Sequence, residues 1–333
     1  MKKNRITITS RKILANKKIA VLGYGSQGSA QAKNLRDSGF TPVIGLPSKS
    51  RSRIFALKDR FEILSPLKAI AKADMTAILI PDHKHKALFD SMAPSVLSGK
   101  TLVFAHGLSI HFGLVKPPPD CDVILVAPHG PGLRLREKYL TGEPFTAFVG
   151  IANKSSRKAS EIAPAYAEAI GCPRRLQFES TFRNEAIGDI FGEQAVLCGG
   201  LVGLMESGFE TLVRKGLSEE AAYLECIYQI DLIVDLIKEF GPAGMFERIS
   251  ATAAFGSLNR KDSLFGADFK KKLISLYGEI EGGKFADNLD NDSRDDMTRY
   301  KKLLSESRNS KLQKAHEDLA NKLRRRSPSS GRR

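Results

Sequence analysis

The sequence predicts an α/β protein: an N-terminal doubly wound domain of the Rossmann type followed by an all-α C-terminal domain. Three observations carry this. A short β-branched run ends in GYGSQG at 23–28 and leads straight into a helical pattern. Apolar runs of strand length then alternate with helical patterns to about residue 180. From Thr181 onward only helical periodicity remains. The expected boundaries are 1–181 for the first domain, 182–320 for the second and 321–333 for a basic, disordered tail.

Residues 17–22 form the first strand, buried by its composition. Gly23, Tyr24, Gly25, Ser26, Gln27 and Gly28 follow as GxGxxG between strand and helix, a dinucleotide-binding fingerprint in that context. Gly23 makes the tight turn and Gly25 lets the backbone approach a pyrophosphate. Gly28 lets the helix pack closely, with its N-terminus facing the anion. Strand 41–45 should end in an acid if the ligand were NAD. The chain reads GLPSKSRSR at 45–53, with hydroxyls at Ser50 and Ser52 among cations and no acid. That chemistry accepts a 2′-phosphate, so NADP(H) is expected.

Strand 75–80 ends at Pro81 and Asp82. After a helix near 84–92, strand 101–105 ends at His106. Strand 121–127 ends in the rigid turn PHGPG, which carries His129. Both histidines fall at carboxyl ends of strands, where open α/β sheets bind ligands. Strand 145–151 and helix 155–169 complete the half.

The second half opens on EAIGDIFGEQAVLCGG at 185–200. Glu185, Asp189 and Glu193 recur every fourth residue, so a helix places them on one face. With no lysine interleaved, the stripe is either a solvated acidic face or a cation site for an ion such as Mg²⁺. A turn is expected at GFETL, after residue 207. A long helix is expected from Ser218, its N-cap, through Phe240. Glu225 lies within its apolar pattern, implying a costly buried carboxylate or a second ligand, and Gln229 lies one turn on. The stretch 249–254 is small and polar, suited to close packing or substrate contact. Charged helices near 269–281 and 295–319 follow.

The net charge is +15. Residues 1–12 hold five basic groups and residues 322–333 six, with no acids in either, which leaves about +4 for the rest. The excess sits at the ends, so nucleic acid is not the expected partner, and the modest remainder suits an anionic cofactor and substrate. No apolar run reaches the length of a membrane span and no secretory signal is visible. Four scattered cysteines without a CxxC pair read as reduced, mostly buried thiols of a cytoplasmic protein.

Over residues 15–320 the chain resembles ketol-acid reductoisomerase of the shorter class. The specific pieces are GYGSQG at 23–28, FAHGLSIHFG at 104–113, APHGPG at 127–132, DIFGEQAVLCGG at 189–200 and GFETLV at 208–213. AYLE and LIVDLI within 222–237 add to them. The resemblance implies Mg²⁺- and NADPH-dependent conversion of 2-acetolactate to 2,3-dihydroxy-3-methylbutanoate, with two Mg²⁺ polarising the substrate's oxygens. It assigns Asp189, Glu193 and Glu225 as metal ligands, with Gln229 at a fourth position. Glu185 becomes a supporting residue. Ser250 becomes a substrate contact, His106 an active-site histidine, and Ser50 and Ser52 the 2′-phosphate ligands. It also implies a homodimer with a knotted helical core and shared sites. The chain departs from the family near the chemistry: His129 replaces a lysine, Gln229 a glutamate, and ISATAAFG stands for ISNTAEYG. Two other readings stay open beside this one. One is a 2-keto acid reductase without the isomerase step, motivated by Gln229. The other is a non-catalytic NADP- or polyanion-binding protein, motivated by the tail.

Overall fold

The structure, a computed structural model, describes residues 6–153, 155–156 and 158–326. Residues 327–333 of the expected tail lie outside the described residues, and 321–326 continue the helix Lys311–Arg326 rather than being disordered. The chain divides into two compact units, one ending at Asp189 and one beginning at Ile190.

The first unit is built on one eight-stranded sheet. Its strands are β1 Ile19–Leu22, β2 Val43–Gly45, β3 Ile63–Leu64, β4 Met75–Ile78, β5 Thr101–Phe104, β6 Asp122–Pro128, β7 Ala147–Asn153 and β8 Gln177–Glu179. The order is β3-β2-β1-β4-β5-β6-β7-β8. The first six strands are parallel, β7 runs antiparallel to β6, and β8 pairs parallel to β7. Successive side chains point to opposite faces of a strand. Ile19 and Val21 accordingly enter one buried cluster with Ile124 and Val126, and Ala20 and Leu22 enter another with Val123 and Leu125. Burial on both faces is why these strands read as unbroken apolar runs. The strand order reverses between β1 and β4, which opens a cleft at their carboxyl ends.

An N-terminal helix that the sequence reading did not anticipate, Ile8–Leu14, packs on helix Ala159–Ala169. Buried Glu168 accepts from the Thr7 amide (2.5 Å) and from Ser10 Oγ (2.6 Å), which ties the chain end to the domain. The two edge elements β3 and β8 were also not foreseen. At two and three residues they are too short to show a period.

The second unit is all helical among its described residues, with three departures from expectation. The acidic helix Phe182–Gly192 does not run regularly through to Gly200. It widens into a π-helical turn, Glu193–Leu197, where the Cys198 amide bonds the Glu193 carbonyl (2.9 Å). A Cβ on Gly199 would lie 2.5 Å from the Gln194 carbonyl oxygen, and one on Gly200 2.0 Å from that of Ala195. The glycine pair is what permits the wide turn. Second, GFETL is not a turn but the interior of helix Gly199–Arg214. Third, the helix expected from 218 to 240 is two. Glu219–Cys226 stops, and Ile230 starts a new helix that kinks at Gly241, where φ is +74° and Pro242 follows. Helices Ala251–Leu264, Ala267–Glu281, Lys284–Arg294, Thr298–Arg308 and Lys311–Arg326 complete the unit. The expected helix 295–319 is thus also two.

The helical stretch Phe182–Arg214 is long and apolar enough to cross a membrane by length and composition. Acidic residues punctuate it, so no continuous apolar run shows in the sequence. Of the cysteines, Cys121 and Cys172 are buried, Cys226 is half-buried and Cys198 is exposed. All four are free thiols.

Candidate active site

A cavity of about 900 Å³ opens at the carboxyl ends of β1 and β4. Gly23, Tyr24, Gly25, Ser26 and Gln27 line one wall, Ser50 and Ser52 another, and Pro81, Asp82 and His106 a third. Gly28 is absent from the lining because its part is packing. A Cβ there would lie 2.4 Å from the Gly23 carbonyl oxygen. Gly23 takes φ +92°, and a Cβ on it would meet the Leu79 carbonyl oxygen at 2.5 Å. In front of Gly25 there is open space. Tyr24 contributes backbone: its ring is buried and its hydroxyl donates to Asp59 (2.7 Å). At the β2 end Lys49 and Arg51 join the two serines, and the one carboxylate among the lining residues, Asp82, stands on the β4 side.

Beyond the β5 end, His106, Glu185 and Asp189 converge. One ligand atom from each lies within 4.8 Å of the others, the one such group of His, Cys, Asp or Glu among the described residues. His106 Nδ1 is 3.2 Å from Glu185 Oε2 and 3.6 Å from Asp189 Oδ2. Glu185 is buried and also accepts from the Gly107 amide. Gly107 can stand there only without a side chain, since a Cβ would lie 2.3 Å from the Phe182 carbonyl oxygen. Asp189, one turn on, keeps its side chain 48% exposed. Of the sequence stripe, then, Glu185 is turned inward as support and Asp189 is presented.

Burial opposes charge on His106, but the hydrogen bond and charge of Glu185, aided by Asp82 and Asp189, outweigh it and lift the imidazole to about 9. Because the folded value lies above the usual 6.5, the pair's stabilisation is complete below about pH 6.5. It is lost as pH rises through about 9. Replacing Glu185 by Gln removes the largest favourable influence, so the His106 midpoint should fall by at least about one pH unit. Imidazole NMR titration of the metal-free protein measures this. A midpoint still near 9 would show that Asp82 and Asp189 suffice.

His85 was missed by sequence reasoning. It is buried, its Nε2 donating to the Ile80 carbonyl (3.1 Å) and its Nδ1 accepting from Ser109 Oγ (2.8 Å). Burial holds it neutral, below the usual range. It buttresses the cavity wall beneath Pro81 and Asp82. The only sequence signal was a histidine three residues past a strand-end aspartate. His129 sits exposed on its turn, Nδ1 3.0 Å from Thr146 Oγ1 and its ring edge-on to Phe148. Partial burial keeps its imidazolium below the usual range, against the pull of Asp189 and Glu185.

The remaining residues named from sequence lie in the second unit. Glu193 opens the π-turn. Glu225 is exposed near the end of its helix rather than buried. Gln229 is not one turn further on the same helix. It stands in the break as N-cap of the next, and its Nε2 donates to the Leu224 carbonyl (3.3 Å). That satisfies a helix-end carbonyl and leaves the amide oxygen as the atom it can offer a cation. Ser250 is the N-cap of Ala251–Leu264, accepting from the Ala253 amide (3.2 Å).

Two family models match the chain. Acetohydroxy acid isomeroreductase, NADPH-binding domain, covers residues 13–175, and ketol-acid reductoisomerase, C-terminal domain, covers 182–325. Among solved structures, the chain is similar to an NADH-preferring ketol-acid reductoisomerase from an uncultured archean. The identity is 37%, the TM-score is 0.89, and 93% of this chain and 95% of that one are covered. It shares a fold with a semialdehyde dehydrogenase NAD-binding protein from Cupriavidus necator at 18% identity and TM-score 0.62, over 84% of this chain and 99% of that one. It also shares one with Plasmodium falciparum pyrroline carboxylate reductase at 15% identity and TM-score 0.52, over 83% and 98%.

Proposed function

The chain belongs to the ketol-acid reductoisomerase family, and from that premise we propose how its own residues divide the family's work. The reaction is conversion of 2-acetolactate to 2,3-dihydroxy-3-methylbutanoate, an alkyl migration followed by reduction, in branched-chain amino-acid synthesis. The observation that carries the site reading is the convergence of His106, Glu185 and Asp189 beyond the nucleotide cleft.

The donor set fits Mg²⁺. Asp189, Glu193 and Glu225 offer carboxylate oxygens and Gln229 an amide oxygen, the hard ligands this ion takes. When bound, Mg²⁺ supplies Lewis-acid polarisation of the substrate's oxygens and NADPH supplies the hydride. The chain's part is positional and protonic. Glu185, itself held by the Gly107 amide, keeps a proton on His106 Nδ1 and fixes the orientation of the ring. Asp189 presents its carboxylate from the same helix. His129, held by Thr146, and Ser250, at its helix N-terminus, are the remaining substrate-side groups. In the cleft the Gly23–Gly28 loop receives the pyrophosphate. Incubation of the protein with 2-acetolactate, NADPH and Mg²⁺ should oxidise the nucleotide. No turnover at any Mg²⁺ or Mn²⁺ concentration would sink the reading.

NADP(H) is the proposed cofactor although the archaeal relative prefers NADH. Its support is the β2 end, where Lys49, Ser50, Arg51 and Ser52 line the cavity without an acid. NADPH should be favoured over NADH by about tenfold or more in kcat/KM, and Ser52→Asp should reverse the order by repelling a 2′-phosphate. Equal use of both nucleotides by the native chain would defeat the assignment.

A homodimer and a cytoplasmic location complete the proposal. The second unit's buried cluster is small: Phe209, Ala222, Tyr223, Ala315 and Leu319. Large apolar side chains stand in solvent around it, among them Leu232 at 60%, Phe255 at 74% and Ile274 at 72% exposure. A helical unit with so little core of its own is stabilised by a second copy. Sedimentation should give at least twice the 36.5 kDa chain mass, and a monomer at micromolar concentration would contradict it.

A further inference from the structure

A line of side chains runs from the protein interior to the turn that carries His129. Tyr166 Oη lies 2.8 Å from Gln31 Oε1, Gln31 Nε2 lies 3.1 Å from Gln27 Oε1, and Gln27 Nε2 lies 2.8 Å from the Gly130 carbonyl oxygen. Tyr166 and Gln31 are both fully buried.

Chemistry fixes the direction of this line. The Gly130 carbonyl can only accept, so Gln27 must turn its NH₂ to it. The Gln27 oxygen then faces inward and requires the NH₂ of Gln31. The Gln31 oxygen in turn requires a donor, and burial holds the Tyr166 phenol far on its protonated side. Reversing either amide would set two oxygens against each other. Hydrogen bonds that all point one way polarise one another and hold their ends firmly.

The outer end meets the nucleotide cleft. Gln27 and Ser26 line the cavity, and Ser26 Oγ accepts from the Gly132 amide (3.0 Å). A Cβ on Gly132 would lie 2.1 Å from the Ser26 carbonyl oxygen. The turn 128–132 is thus clamped to the phosphate-binding loop on both sides of Pro131.

We propose that Gln31 is a positioning residue: by holding the Gln27 amide on the Gly130 carbonyl it couples occupancy of the nucleotide loop to the placement of His129. This rests on the reading of His129 as a substrate-side group. Binding at the loop and the aim of His129 are then linked, and the linkage runs both ways.

The test uses full-length protein with histidine labelled at ¹³Cε1, in native, Gln31→Leu and Tyr166→Phe forms, the His129 signal being identified by its loss in His129→Asn. NADPH and NADH are titrated separately without substrate. In the native protein the His129 signal should move along the nucleotide-binding curve. In Gln31→Leu it should move less than half as far while nucleotide affinity changes by less than about threefold, and Tyr166→Phe, which removes a single oxygen, should give an intermediate shift. A His129 signal that never moves in saturated native protein, or moves equally in Gln31→Leu, overturns the proposal. In turnover, Gln31→Leu should lower kcat about tenfold in the native background and less than about twofold in His129→Ala. Equal factors in both backgrounds would mark Gln31 as merely structural and overturn it too. Absence of acetolactate turnover would defeat the proposed function, and the nucleotide titration would still decide the coupling.

Discussion

Gly107→Ala should cost the protein both its stability and its active site. The added methyl would lie 2.3 Å from the Phe182 carbonyl oxygen and 2.8 Å from Glu185 Oε2. The first neighbour is backbone at the entry of a helix and cannot step aside. Forcing it apart costs about 1–3 kcal/mol as overpacking. The Gly107 amide also leaves a buried carboxylate, losing a charge-assisted hydrogen bond of about 1.5–3 kcal/mol. A combined loss of about 3–5 kcal/mol corresponds to a fall in Tm of roughly 10 °C. Displacement of His106 and Glu185 by about 1 Å should lower kcat by about a hundredfold or more. Calorimetry and steady-state rates read the two effects, and Gly25→Ala is the control. With open space before Gly25 and φ −84°, that variant should keep its Tm and lose nucleotide affinity instead. A Gly107→Ala protein with unchanged Tm and rate would refute the packing argument.

Asp189→Asn should do the reverse, leaving the fold intact and stopping the chemistry. The side chain is about half exposed, and a surface substitution of this kind moves stability within about 0.5 kcal/mol. The carboxylate is nevertheless the group presented beside His106 and Glu185, and exchanging it for an amide removes the charge that a hard divalent cation requires. Turnover of acetolactate should fall by about a thousandfold or more. NADPH affinity and Tm should stay close to native. Retention of a tenth of native activity at saturating Mg²⁺ would remove Asp189 from the proposed metal site.

Much of the nucleotide cleft was legible because its determinants are local. A strand, a glycine turn and a helix N-terminus are consecutive in the chain, so GYGSQG specifies its own geometry. Placing His106 and His129 at strand ends followed from the alternation of apolar runs with helical patterns. Spacing put Glu185 on a face with Asp189 and the family resemblance made it the supporting residue, but neither says what turns it inward. The Gly107 amide decides that, 78 residues away in sequence. His85 was invisible for the same reason, its partner Ser109 arriving from beyond the next strand.

The second half was read less well. Helical periodicity is clear there, and its interruptions are not. The π-turn at Glu193–Leu197 depends on two glycines allowing carbonyls to approach where a Cβ would collide. The break before Gln229 depends on a side-chain amide capping Leu224. Both move residues that uniform 3.6-residue spacing had aligned.

By itself the sequence determined the class of each half, the phosphate-binding loop, the absence of an acid after β2 and the family. These are written in neighbouring residues and in pattern. Only the tertiary structure decided how Glu185 is held inward, where the acidic helix widens, and that Tyr166, Gln31 and Gln27 form one line to the His129 turn. Those outcomes depend on hydrogen-bond geometry between residues far apart in the chain, where tenths of an ångström separate a bond from a collision.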